Sequence, residues 1–230
     1  RRRSSQKVST ESMCTHADVA DAMATTATAA DAKAAAASTE TTADADVINI
    51  MKTAVVILNW NTEGFLRDLL PGLLQSVRNV EGAEVIVADN ASTDGSMAVM
   101  KEMFPQVRTI AFEKNFGFTG GYNRAFEQID SEYFVLINSD IEVPQDWLGP
   151  LVDWMDTHPE CGACAPKLHS WQEREKFEYA GAAGGYIDLF GYPFCRGRIL
   201  NRLETDKGQY DTPADVFWAT GACLMVRSSL

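Results

Sequence analysis

The sequence predicts an α/β fold: a Rossmann-like, mixed but mainly parallel sheet flanked by helices, preceded by a low-complexity tail. Three observations predict it. From Met51 onward, apolar runs alternate with stretches whose apolar residues recur at helical spacing. The best of those runs, Thr53–Leu58, is continuously apolar rather than alternating, as suits a parallel strand covered on both faces. Four predicted strands end in polar residues, and ligands of such sheets sit at the carboxyl ends of strands.

The elements follow in order. Residues 1–50 differ in kind from the rest: "DVADAMATTATAADAKAAAASTETTADAD" has no aromatic residue and few large aliphatics, too little apolar surface to offset chain entropy. They are expected to form a tail outside the fold, or a spurious extension upstream of a natural start at Met51. Residues 51–230 are expected to form one domain. After strand Thr53–Leu58, Phe65, Leu66, Leu69, Leu70, Leu73, Leu74 and Val77 mark a helix over Thr62–Arg78, kinked at Pro71. Glu84–Ala88 is the next strand, Asp94–Phe104 the next helix and Val107–Ala111 the third strand. A helix entered through glycines runs over Tyr122–Gln128, a fourth strand over Glu132–Ile137, and a helix over Gln145–Thr157 after Pro144. "CGACAPKL" reads as a short buried strand. No second C-x-x-C or His pair follows it at a zinc-like spacing, so Cys161 and Cys164 are read as core residues.

Composition excludes some functions. The 230 residues carry a net charge of −12, which argues against a general nucleic-acid binder needing a basic face. Five irregularly spaced cysteines do not resemble a secreted disulfide framework. The longest apolar stretch, "VFWATGACLMV", is too short to cross a bilayer, and Arg1–Arg3 are not followed by a signal-peptide core. A cytoplasmic location is expected.

The strand ends locate the candidate site. Strand one ends in Asn59-Trp60-Asn61, strand two in Asp89-Asn90, and strand four in Asn138-Ser139-Asp140. Strand three leads into "EKNFGFTGGYN". Asp89 suits acceptance of hydrogen bonds from a base N–H or a ribose hydroxyl. Gly117, Gly120 and Gly121 permit close backbone approach before a helix start that attracts phosphate. Asp140, with Glu142 nearby, suits a hard divalent cation, which takes one or two carboxylates and leaves other positions to water and phosphate. Neither G-x-G-x-x-G nor a P-loop lysine motif is present.

"VVILNWN", "VADNASTDGS", "NFGFTGGYNRAF" and "LINSDIEVPQDWL" occur in the order and spacing of family-2 glycosyltransferases of GT-A fold, and the chain most resembles their rhamnosyltransferase branch. "DVFWATGACLMVR" resembles that family's acceptor-side segment, with Trp218 and Gly221 in it. The resemblance spans roughly Thr53 to the last residue. It implies metal-assisted, inverting sugar transfer from a dTDP- or UDP-sugar to a glycan or lipid-linked acceptor in cell-surface polysaccharide synthesis, with Mg²⁺ or Mn²⁺ as cofactor and peripheral contact with the inner membrane face. It places Asn59, Trp60, Asp89, Asn115, Gly117, Gly121 and Asn138 along the nucleotide-sugar and Asp140 on the metal. "NSD" stands where the family carries Asp-x-Asp. The family's general base follows the acceptor-side segment, so it is expected beyond Leu230 in a chain truncated at that end. Asp188, Asp211 and Asp215 are the fallback bases. Two other readings stay open: a nucleotidyltransferase, although "NWNTEG" lacks a basic, glycine-rich phosphate loop, and a non-catalytic sugar-nucleotide-binding fragment.

Overall fold

The structure, a computed structural model, describes residues 6–16, 51–178, 182–200 and 202–230. One sheet organises it. Strands β2 (Met51–Asn59), β3 (Ala83–Asp89), β4 (Arg108–Ala111) and β5 (Ser131–Ile137) are parallel, in the order β4-β3-β2-β5. Beyond β5 the sheet turns mixed. β12 (Cys223–Arg227) runs antiparallel to β5 and also pairs with β7 (Cys161–Ser170). Helices α1 (Glu63–Val77), α2 (Ser96–Met103), α3 (Gly117–Phe126) and α4 (Leu148–Thr157) connect the strands.

The strands' period of two sorts their side chains onto two faces. Val55 and Ile57 of β2, Val85 and Val87 of β3, and Val135 and Ile137 of β5 share a core with Leu66, Leu70, Met100 and Leu151 of α1, α2 and α4. Ala54, Val56, Ile86, Ala88 and Phe134 pack on the other face, with Tyr122 and Ala125 of α3. Coverage on both faces explains why β2 reads as a continuous apolar run. In the first core the indole N–H of fully buried Trp147 donates to Ser76 Oγ at 3.0 Å, so its polar atom is satisfied.

Helix starts differ from the sequence reading. α3 begins at Gly117, five residues before Tyr122, because Gly117 adopts φ +73° and turns the chain into the helix there. α4 begins at Leu148 rather than at Gln145. Helix α1 continues through Pro71. The expected tail also differs in part. Gln6–His16 forms strand β1, antiparallel to β7 and touching β6 (Ile141–Glu142). Without a neighbour there β7 would be an edge with unpaired backbone groups, which any extended segment can satisfy. Residues 1–5 and 17–50 lie outside the described residues.

A second, smaller sheet rises between β7 and β12. It is an antiparallel meander of β8 (Gly185–Ile187), β9 (Pro193–Cys195), β10 (Arg198–Ile199) and β11 (Arg202–Leu203). It rests on a minor core of Phe177, Ala182, Ala183 and Val216. A buried ionic knot ties it to β7: Lys167 reaches Asp206 at 2.9 Å and Asp211 at 2.5 Å, and His169 lies 2.7 Å from Asp206. Among the described residues no helix is long and apolar enough to cross a membrane.

Candidate functional site

Strands β2 and β3 end in register, Asn59 opposite Asp89. Both residues are buried, and Asn59 Nδ2 donates to Asp89 Oδ1 at 2.7 Å and to Ser92 Oγ at 2.9 Å. The Ser92 backbone N–H donates to the other Asp89 oxygen at 2.9 Å. Thr62 Oγ1 closes the set on Asn59 Oδ1. Asn61, at φ 56°, accepts the Thr93 N–H at 2.7 Å, a left-handed conformation that asparagine tolerates. The two strand-to-helix loops are thus stitched together, and Asp89 is fixed by two donors before any ligand arrives. Trp60, next in sequence, is 54% exposed and free to present its ring.

Asn90 is a second node, a strand-end residue to which the sequence reading gave no role. Its Nδ2 donates to Asn115 Oδ1 (2.9 Å) and to the Gly117 carbonyl (3.0 Å), and its Oδ1 accepts the Phe116 N–H (2.9 Å). Asn115 Oδ1 takes the Gly117 N–H at 2.7 Å. Two N–H groups at the start of α3 are therefore held by the side chains of Asn90 and Asn115, not presented outward. The place of an amide directly after a strand-ending aspartate was the available signal. Gly121 also differs from its expected role. A Cβ there would sit 2.7 Å from Leu58 Cδ1 and 3.3 Å from Asn90 Nδ2, so this glycine brings α3 onto β2 and is itself buried.

At the end of β5, the Asn138 N–H donates to the Ala222 carbonyl at 2.9 Å. That bond sets the expected acceptor-side segment beside Asn138-Ser139-Asp140. Gly221 lies under Phe118, whose ring would be 3.1 Å from a Cβ there and is 50% exposed. Trp218 is placed differently. Its ring covers Gly185, its indole N–H donates to the Tyr186 carbonyl at 3.2 Å, and its backbone pairs with Gly185. It latches β8 to the main body.

Asp140 is half-buried. Burial pushes its carboxyl above the usual range, and the negative charge of Glu178 adds to that shift, against its own backbone N–H. Sequence reasoning missed Glu178, which sits in an irregular stretch far along the chain and shares no motif with Asp140. A carboxylate withdrawn from water, near a second one and ion-paired with no lysine or arginine among the described residues, fits a divalent cation. Among the described residues no three His, Cys, Asp or Glu side chains gather to hold an ion by themselves. Water and a ligand's oxygens would complete the shell, as is usual for Mg²⁺.

Of the fallback bases, Asp211 is paired with Lys167, and Asp188 Oδ1 accepts the N–H groups of Phe190 and Tyr192 within its own turn. Asp215 is exposed, and its carbonyl accepts the Tyr186 hydroxyl at 3.0 Å. On β7, Cys161 and Cys164 are both buried, as core residues should be; Cys164 is a free thiol, whereas Cys161 is disulfide-bonded, which the reading of both as plain core residues missed.

The family model for glycosyl transferase family 2 matches residues 54–229. An uncharacterised protein of Mycobacterium tuberculosis, Rv1520, is 30% identical over 120 residues, 48% of this chain and 33% of its own length. The N-acetylglucosaminyl-diphospho-decaprenol L-rhamnosyltransferase of the same organism is 23% identical over 193 residues, 76% of this chain and 61% of that one. The chain thus spans about a third to three fifths of the length of these relatives. Among solved structures, a Pyrobaculum calidifontis mannosyltransferase in complex with GDP-Man and Mn²⁺ aligns at TM-score 0.44 and 24% identity, over 49% of this chain and 34% of that one.

Proposed function

The chain belongs to glycosyl transferase family 2, and from that premise we propose that it binds a nucleoside diphosphate sugar along the ends of β2, β3 and β5 and passes the sugar, with inversion, to a glycan or lipid-linked acceptor in cell-surface polysaccharide synthesis. The observation that carries the reading is the pre-set carboxylate of Asp89, held by Asn59 and the Ser92 N–H at one edge of the sheet that also bears Asp140. A carboxylate fixed in advance loses little entropy when it accepts a base or ribose donor. Trp60 offers an aromatic surface beside it. Asp140, with Asn138 and Glu178 near, would hold Mg²⁺ or Mn²⁺, which when bound neutralises the charge of a departing diphosphate. Gly221 and Phe118 border the side from which an acceptor enters. The similarity to the mycobacterial N-acetylglucosaminyl-diphospho-decaprenol L-rhamnosyltransferase supports rhamnose as the sugar and a lipid-linked acceptor.

The test is a thermal-shift and calorimetric screen of dTDP-, UDP- and GDP-sugars with and without Mn²⁺ or Mg²⁺. A nucleoside diphosphate sugar should raise the melting temperature, and more so with metal. No stabilisation by any of them would overturn the reading.

A further inference from the structure

Phe118 lies in the first turn of α3, and half of it is exposed at the carboxyl edge of the sheet. Its ring is held in place by two neighbours. One turn further along the helix, Tyr122 meets it edge-on, with ring centroids 4.9 Å apart and planes at 68°. Tyr122 is buried, and its hydroxyl donates to the Ile137 carbonyl at 3.3 Å, so the supporting ring is itself fixed to the end of β5. The second neighbour is Gly221. Phe118 Cζ would lie 3.1 Å and Cε1 3.3 Å from a Cβ there, so the absence of a side chain lets the ring settle against the backbone. The Asn138 N–H, by donating to the Ala222 carbonyl at 2.9 Å, keeps that stretch against the end of β5. A ring supported in this way loses little freedom when a ligand rests on it.

The order of the strands indicates which part of a ligand reaches this ring. The sheet runs β3-β2-β5-β12 across the site. Asp89 ends β3, Trp60 follows β2, Asn138 follows β5 and Gly221 stands just before β12. With base and ribose at Asp89 and Trp60, and the diphosphate directed toward Asp140 past the end of β5, the sugar beyond the diphosphate falls beside β12. Three strand spacings separate β3 from β12, roughly 14 Å, and Phe118 and Gly221 meet at that far end. The chemistry of the ring fits as well. A flat hydrocarbon face offers no hydrogen bond, so it suits the C–H-lined face of a pyranose, whose hydroxyls stay at the rim for polar partners.

Resting on the nucleoside diphosphate sugar reading of the site, we propose that Phe118 is the platform for the transferred sugar and receives its pyranose ring by the apolar face. The two ends of the donor are then recognised by separate groups, the nucleotide by Asp89 and Trp60 and the sugar by Phe118.

Calorimetric titration of the full chain in Mn²⁺ tests it with paired ligands: dTDP, UDP and GDP, each alone and as dTDP-rhamnose, UDP-N-acetylglucosamine or GDP-mannose. The pair that binds the parent is then titrated into the variants. Phe118→Ala should weaken the sugar-bearing ligand about three- to tenfold, as loss of an aromatic contact does, and leave the sugar-free nucleotide unchanged. Phe118→Leu keeps apolar bulk against Tyr122 and Gly221, so it should melt as the parent does and still share that loss. Phe118→Tyr keeps the ring and should bind as the parent does. Equal affinity of parent and Phe118→Leu for the sugar-bearing ligand, or an equal loss for both members of the pair, would overturn the platform and leave the nucleotide site standing. Absence of binding by the parent to every nucleoside diphosphate and its sugar would overturn the reading of the site, and the platform with it.

Discussion

Asn59 Nδ2 lies 2.7 Å from Asp89 Oδ1, a buried hydrogen bond that joins the carboxyl ends of two adjacent parallel strands. It gives Asp89 a structural role beside the recognition role proposed for it. Removal of the carboxylate leaves the Asn59 amide and the Ser92 N–H without their acceptor in a buried place.

Asp89→Ala should therefore cost about 1–3 kcal/mol in stability, from the unsatisfied donors, and lower the melting temperature by about 2–4 °C per kcal/mol. Nucleosides and nucleoside diphosphates should both bind more weakly. An unaltered melting temperature by calorimetry would mean that the network is not strained by the loss.

Asp140→Asn should leave the metal-free fold as stable as the parent, since the carboxylate is half-buried without an ion-paired base to lose. It should abolish most of the extra stabilisation that Mn²⁺ or Mg²⁺ gives in the presence of a nucleoside diphosphate. Equal metal-dependent shifts in both proteins, read by thermal shift, would contradict the assignment.

Gly121→Ala should destabilise by about 1–3 kcal/mol, as overpacking does, because the new methyl would meet both Leu58 methyls, at 2.7 and 2.8 Å, and Asn90 Nδ2. The readout is a urea melt, and a midpoint equal to that of the parent would show that Leu58 moves aside without cost.

Asp206→Asn reports on the knot that holds the meander to β7. Burial alone would raise the Asp206 carboxyl, but hydrogen bonds from Lys167, the Gly208 N–H and His169 outweigh it and hold it below the usual range. A depressed folded value means that its stabilisation is complete above the unfolded pKa and is lost as pH falls through the folded one. The variant should lose up to about 3 kcal/mol at neutral pH, since Lys167 stays buried with one anionic partner fewer. The gap between variant and parent should close in acid. A gap of constant size down to the acid transition, in melts taken across pH, would argue against an ionic origin.

Sequence by itself determined the parallel half of this fold and the edge where its candidate site is proposed. Val55, Val56 and Ile57 are apolar in succession because helices cover both faces of the sheet, and Asn59, Asp89 and Asp140 break that pattern where strands end. Such local contrasts survive in one dimension. The rest depended on distant partners. That Asn90 clamps the start of α3, that Gly121 packs on Leu58, and that Trp218 latches Gly185 each depend on residues tens of positions apart meeting. Glu178 comes near Asp140 only through the path the chain takes after β7. Gln6–His16, polar in composition, gains its strand from the open edge of β7, for edge pairing satisfies backbone groups whatever the side chains. Periodicity records how each segment meets water, whereas contacts across the fold are fixed only when the whole chain closes on itself.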